Sequence, residues 1–149
     1  MSVLTKRLGP TAGLALCCLA LCSCGEQESF RKETFPLTGE VYVDDKPAGQ
    51  VQVTCHNVAG IDAEHPTFSR AITDEEGKFS ISTYESADGL PEGEYVLTFM
   101  WGKIDLLKGG YSGPDKLGER YQDPKTSKFR VTVEPGKETE VQRIELTAK

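Results

Sequence analysis

A thiol can serve as nucleophile, metal ligand, redox partner or acceptor of a covalent group. Five cysteines make it the first chemistry to weigh in this chain of 149 residues. Cys17, Cys18, Cys22 and Cys24 crowd the amino terminus, and Cys55 stands alone. His56 and His65 are the only histidines. Adjacent residues on a strand point to opposite faces, so Cys55 and His56 are not set to chelate one ion, and both histidines read as surface residues. Asp74-Glu75-Glu76 offers carboxylates in a run. A calcium loop of the EF-hand type needs alternating oxygen ligands and a distant bidentate Glu, whereas a turn with solvated acids explains this run without a metal. No metal, no cofactor and no catalytic set is expected. Trp101, Tyr111 and Tyr121 could form a platform for sugar rings or a peptide by stacking and C–H contacts. The simpler reading, and the one preferred, is that Trp101 and Tyr121 plug the end of a β domain beneath the loop that follows Trp101.

The cysteine-rich start has its own logic. Lys6 and Arg7 precede an uncharged stretch from Leu8 to Cys22, made mostly of Leu, Ala, Gly and Cys. This is shorter than the roughly 20 apolar residues a spanning helix needs, but it suits a secretory leader. Leu21-Cys22-Ser23-Cys24 resembles the lipobox of bacterial lipoproteins, in which a small residue precedes the modified cysteine. Ser23 meets that need before Cys24, while choosing Cys22 would place bulky Leu21 there. The resemblance implies removal of residues 1–23 and a diacylglyceryl group, carrying palmitate-type chains, on the Cys24 thiol. Several acyl chains anchor durably where one gives only marginal binding. Partner and place follow as expectations: a membrane reached through a lipid anchor, in the cell envelope, at the outer membrane or the periplasmic face. The polar stretch 25–35 then reads as a flexible tether.

Loss of the leader removes two basic residues and no acid, leaving 15 basic against 23 acidic residues, a balance of −8 in place of −6. Nucleic acid demands a Lys/Arg surface, so it is excluded as a partner. With three cysteines gone and Cys24 acylated, Cys55 has no mate, which excludes a disulfide framework. Roughly 110 residues remain, enough for one core.

Those residues must be positioned by strands, because the apolar period after the tether is two. Alternation predicts strands over 37–43, 50–56, 67–73, 78–83, 94–101, 129–133 and 139–147. Val51, Val53 and Cys55 share one face of their strand, and Tyr95, Leu97, Phe99 and Trp101 share one face of theirs. Asp74 to Gly77 reads as a turn closing a hairpin, with Asp74 accepting backbone N–H groups and Gly77 at positive φ. Gly102 to Lys128, rich in glycine, reads as an irregular loop long enough to suggest function. Seven short strands between turns predict an all-β, antiparallel β-sandwich.

Several stretches together resemble the carboxypeptidase regulatory-like, transthyretin/prealbumin-type family. They are Thr38-Gly39-Glu40-Val41, Lys46-Pro47-Ala48-Gly49-Gln50-Val51, the 73–79 turn, Pro91-Glu92-Gly93-Glu94-Tyr95-Val96-Leu97, and Val131-Thr132-Val133-Glu134-Pro135-Gly136. The resemblance implies a Greek-key sandwich over 36–149 and a non-catalytic module that engages an envelope protein or a glycan through its loops. A carbohydrate-binding accessory role in polysaccharide uptake is the alternative. A small metal-dependent or hydrolytic enzyme is a third reading, and it requires His56 and His65 to meet. The related hydrolases end in Tyr-Arg-Gly-Ser, whereas this sequence ends Leu146-Thr147-Ala148-Lys149.

Overall fold

A computed structural model of the chain describes residues 30–64, 66–105, 107 and 110–148. Cys24 and His65 lie outside the described residues. The fold is all-β, without a helix among them. Its strands are β1 (Leu37–Val43), β2 (Lys46–Pro47), β3 (Gln52–Asn57), β4 (Ser69–Ile72), β5 (Lys78–Ser80), β6 (Gly93–Met100), β7 (Lys103–Asp105), β8 (Gly110–Ser112), β9 (Arg130–Val133) and β10 (Thr139–Leu146). Each of the seven stretches of alternation carries a strand. Three more are short: β2, and the pair β7–β8 inside the segment expected to be irregular.

Two four-stranded sheets organise the molecule. In one, β1 lies between β10 and the short strands β2 and β5. In the other the order is β4-β3-β6-β9, antiparallel throughout. The expectation of a wholly antiparallel structure fails at one ladder, where β1 and β10 run parallel, with Leu37 beside Thr139 and Val43 beside Leu146. The physical reason is distance along the chain. A parallel pair needs a long connection, and here the whole second sheet intervenes between β1 and β10.

Alternation explains burial. In β1, Leu37, Gly39, Val41 and Val43 are buried while Thr38, Glu40 and Tyr42 are half-exposed. The same cluster takes in Ile144 and Leu146 of β10, Val53 and Cys55 of β3, and Leu97 and Phe99 of β6, so both sheets feed one core. Tyr95, Leu97 and Phe99 are buried as their shared face predicts, while Trp101 is half-buried. Val96 and Thr98 on the opposite face of β6 are buried as well. β6 is an interior strand, and His56 and Arg130 flank Val96 across the two ladders.

The 74–77 turn forms as its residues dictate. The Lys78 N–H donates to Asp74 Oδ1 at 2.8 Å, and Gly77 has φ +78°. A Cβ at Gly77 would come within 2.4 Å of the Val41 carbonyl oxygen, so glycine is required on two counts. The expected hairpin is not what the turn makes, however. β4 belongs to one sheet and β5 to the other, so it is a corner that carries the chain across the core. The neighbouring edges are linked by the isolated Arg70–Ser82 bridge and by the Ser69 and Thr83 hydroxyls, 2.7 Å apart.

Strand directions sort the loops to two ends. Phe35 bridges Leu90 at the start of β1, and the Thr139 N–H donates to the Pro36 carbonyl. The 57–68, 81–92 and 134–138 connections therefore gather where residue 30 enters. At the other end of β1, the Asp44 N–H meets the Leu146 carbonyl, and Gln50 meets Thr73. That end holds 44–51, 73–77 and the long 101–129 segment.

Candidate functional site

The 101–129 segment is built on β6, whose outer edge it follows. Phe99 N–H donates to the Tyr121 carbonyl, Leu97 N–H to that of Phe129, and Lys116 N–H to that of Trp101, each at 2.9 Å. Asp115 organises the middle. Its Oδ1 accepts the N–H groups of Trp101 (2.8 Å) and Leu117 (3.0 Å), and its Oδ2 accepts from Glu119 N–H and Gln122 Nε2. Burial pushes this carboxyl upward, but the hydrogen bonds outweigh it and hold the group below the usual carboxylate range. Leu117, fully buried, pins the segment into the core.

Each of the three aromatic residues singled out in the sequence is tied to backbone or to a neighbouring strand end. Trp101 Nε1 donates to the Gly49 carbonyl at 3.0 Å, and the Tyr111 hydroxyl to that of Gln50 at 2.7 Å. Burial pushes the Tyr111 hydroxyl up to about 12, which keeps it protonated as a donor. Gly102 admits the Tyr111 ring, since a Cβ there would stand 2.7 Å from its Cδ1. Trp101 and Tyr111 thus converge on one two-residue stretch between β2 and β3. Tyr121 goes elsewhere. Its hydroxyl accepts the Thr147 N–H at 3.1 Å, and its ring packs on Phe129, which in turn meets Phe99 edge-on at 5.1 Å. The Lys116 ammonium lies 4.3 Å from the centre of the Trp101 ring, occupying one stacking face as a cation–π contact.

The other chemistry-bearing residues are accounted for by packing. Cys55 is buried and unpaired, and burial drives its thiol up to about 12, which favours the protonated form over the nucleophilic thiolate. His56 bonds Thr98 Oγ1 through Nε2 at 2.8 Å, and burial lowers its basicity. Among the described residues, no group of three or more His, Cys, Asp or Glu side chains could hold a metal.

Two features were missed in the sequence. Asp115 is one; its signal was available, because Gly113-Pro114-Asp115 is turn composition and an Asp there can accept the N–H groups that follow. The other is a shallow groove of about 510 Å3 beside β5, lined among others by Thr38, Glu40, Asp74, Lys78, Ser80 and Glu140. Its walls come from both sheets and the corner turn, so no local motif could have announced it.

No protein-family model matches the chain, and no curated protein does. Among solved structures it is similar to an (S)-allantoin synthase, at 16% identity and TM-score 0.44, over 78% of this chain and 42% of that one. It is also similar to a 9R-lipoxygenase from Cyanothece, at 13% identity and TM-score 0.38, over 76% of this chain and 16% of that one. The chain therefore spans less than half the length of either protein, and likenesses this distant carry no functional argument.

Proposed function

We propose that this chain is a cell-envelope lipoprotein, held to a membrane by acyl groups on Cys24. Its folded part is a Greek-key, transthyretin-like β-sandwich of the carboxypeptidase regulatory-like kind, which binds a protein or glycan partner without catalysis. The shared core drawn from two sheets supports the sandwich. The leader and the Leu21-Cys22-Ser23-Cys24 tetrapeptide support the anchor. One observation carries the binding role. The chain enters the domain at one end, and the 101–129 segment, built around Asp115, lies at the other, where a tethered module would present it away from the bilayer.

The second reading, a carbohydrate-binding accessory in polysaccharide uptake, draws on the convergence of Trp101 and Tyr111 at Gly49–Gln50. One experiment addresses both. The full chain and a variant with residues 103–112 replaced by a short Gly-Ser link are screened by pull-down from envelope extracts and on glycan arrays. The β7–β8 pair joins neither large sheet, so the variant is expected to keep its β circular dichroism. Loss of a captured partner supports the loop-end site, and loss of a glycan signal favours the second reading. Identical profiles would remove this segment from the account.

A further inference from the structure

We propose that the end of the domain where the chain departs toward Cys24 is itself a lipid-contacting face, dipping Phe30, Val58, Ile61 and Phe68 into the interfacial region of the bilayer. The proposal rests on the anchor reading above and extends it from a tether to an oriented dock.

Six large apolar side chains are exposed among the described residues: Phe30, Val58, Ile61, Phe68, Ile72 and Leu107. The first four belong to the entry end. Ile61 and Phe68 are 79% and 78% exposed, and Phe30 is 63%, values that burial on some other surface would reduce. Contacts made by their neighbours along the chain tie together the segments that carry them. Lys32 Nζ bonds Asp62, the neighbour of Ile61, at 2.9 Å, and the Lys32 N–H donates to the Tyr84 hydroxyl at 3.1 Å. Arg31 pairs with Glu85 at 2.7 Å. Tyr84 and Glu85 line a recess of about 410 Å3 together with Phe68 and Arg70. Val58 opens the loop that contains Ile61.

The length of chain outside this surface says what covers it. Five residues separate Cys24 from Phe30, so a fully extended connection spans only about 20 Å. The flexible tether expected over 25–35 does not include its last part: bonds from Arg31, Lys32 and Phe35 hold that stretch to the body, so it adds no slack. An acylated sulfur in the membrane therefore keeps this end, and no other, at the headgroups. Exposed aromatic and branched apolar side chains are the residues that partition into that region, at depths of roughly 5–10 Å. Arg31 and Lys32 are already paired with Glu85 and Asp62. The attraction is consequently apolar, and it requires neither anionic lipid nor low salt.

The test uses the full acylated chain in phosphatidylcholine vesicles that contain a nitroxide-labelled lipid. Single cysteines are introduced as Ile61→Cys, Phe68→Cys and, at the far turn, Glu76→Cys, and each is labelled with a small fluorophore. The buried Cys55 and the acylated Cys24 leave the new thiol as the reactive one. Quenching at 61 and 68 is expected to exceed that at 76 by about twofold or more, and to persist in high salt. A Phe30→Glu/Phe68→Glu variant labelled at 61 should stay bound to vesicles and lose that excess. Equal quenching at all three positions, with Cys24 shown by mass spectrometry to be acylated, overturns the dock and leaves the anchor standing. A label at 61 or 68 that lipid does not quench, yet that envelope extract shields from aqueous iodide, assigns the face to a protein and also overturns it. An unacylated Cys24 sinks the anchor and the dock together.

Discussion

Asp115 shows how one carboxylate can organise a loop without doing chemistry. Four donors converge on it, two of them from residues that flank the aromatic core contacts, Trp101 and Leu117. Asp115→Ala removes the two carboxylate oxygens that accept from all four. Hydrogen bonds to a charged group are worth about 1.5–3 kcal/mol each when buried, less when part-exposed as here, so a net loss of about 1–2 kcal/mol is expected. The reporter is built in, since Trp101 is the sole tryptophan. Its emission should shift toward longer wavelength in the variant before any change in β circular dichroism. An unchanged spectrum would show that Leu117 alone holds the segment. At this scale the sequence was readable where a residue acts on its neighbours, as Asp74 and Gly77 do. It was not readable for Trp101 or Tyr111, whose partners Gly49 and Gln50 lie more than fifty residues away.

The strands carry most of the stability, and their two faces differ. Leu97 on β6 has no exposure and packs among residues of both sheets. Ile72 on β4 is 48% exposed and points away from that core. Leu97→Ala should therefore cost about 2–5 kcal/mol, while Ile72→Ala should stay within about 0.5 kcal/mol of the parent. Urea unfolding monitored by circular dichroism measures both, and similar costs would mean the faces are misassigned. The alternation of β1, β3 and β6 made their inward residues legible in advance. Sheet membership was not legible. Asp74–Gly77 has the composition of a hairpin turn, yet it serves as a corner, because β5 finds its partner in β1 rather than in β4.

Across the whole molecule, carboxylates held by backbone N–H groups stand at opposite ends. Burial pushes Asp88 upward, but the N–H groups of Thr83, Tyr84 and Glu85 hold it below 3.8, as those around Asp115 do at the far end. Each group binds fewer protons folded than unfolded near that pH. Its contribution is present above 3.8 and lost as the pH falls through the lower folded value. His56, lowered from 6.5 by burial, acts earlier, since its neutral form is the one the fold favours and stability declines as the pH drops below 6.5. The urea midpoint should thus fall in two stages on acidification. His56→Gln should erase the first, and Asp88→Asn with Asp115→Asn should flatten the second. A single stage in the parent protein would contradict these assignments.

Local chemistry decided in the sequence what it could decide alone: the two-residue apolar period, the turn residues that end strands, the core placement of Cys55, and the acidic balance. These depend on neighbours along the chain. The parallel union of β1 with β10, the crossing at the corner turn, and the placing of the 101–129 segment opposite residue 30 depend on partners tens of residues apart. Such partners are chosen only when both sheets bury their apolar faces in one core, and that selection is a property of the folded whole.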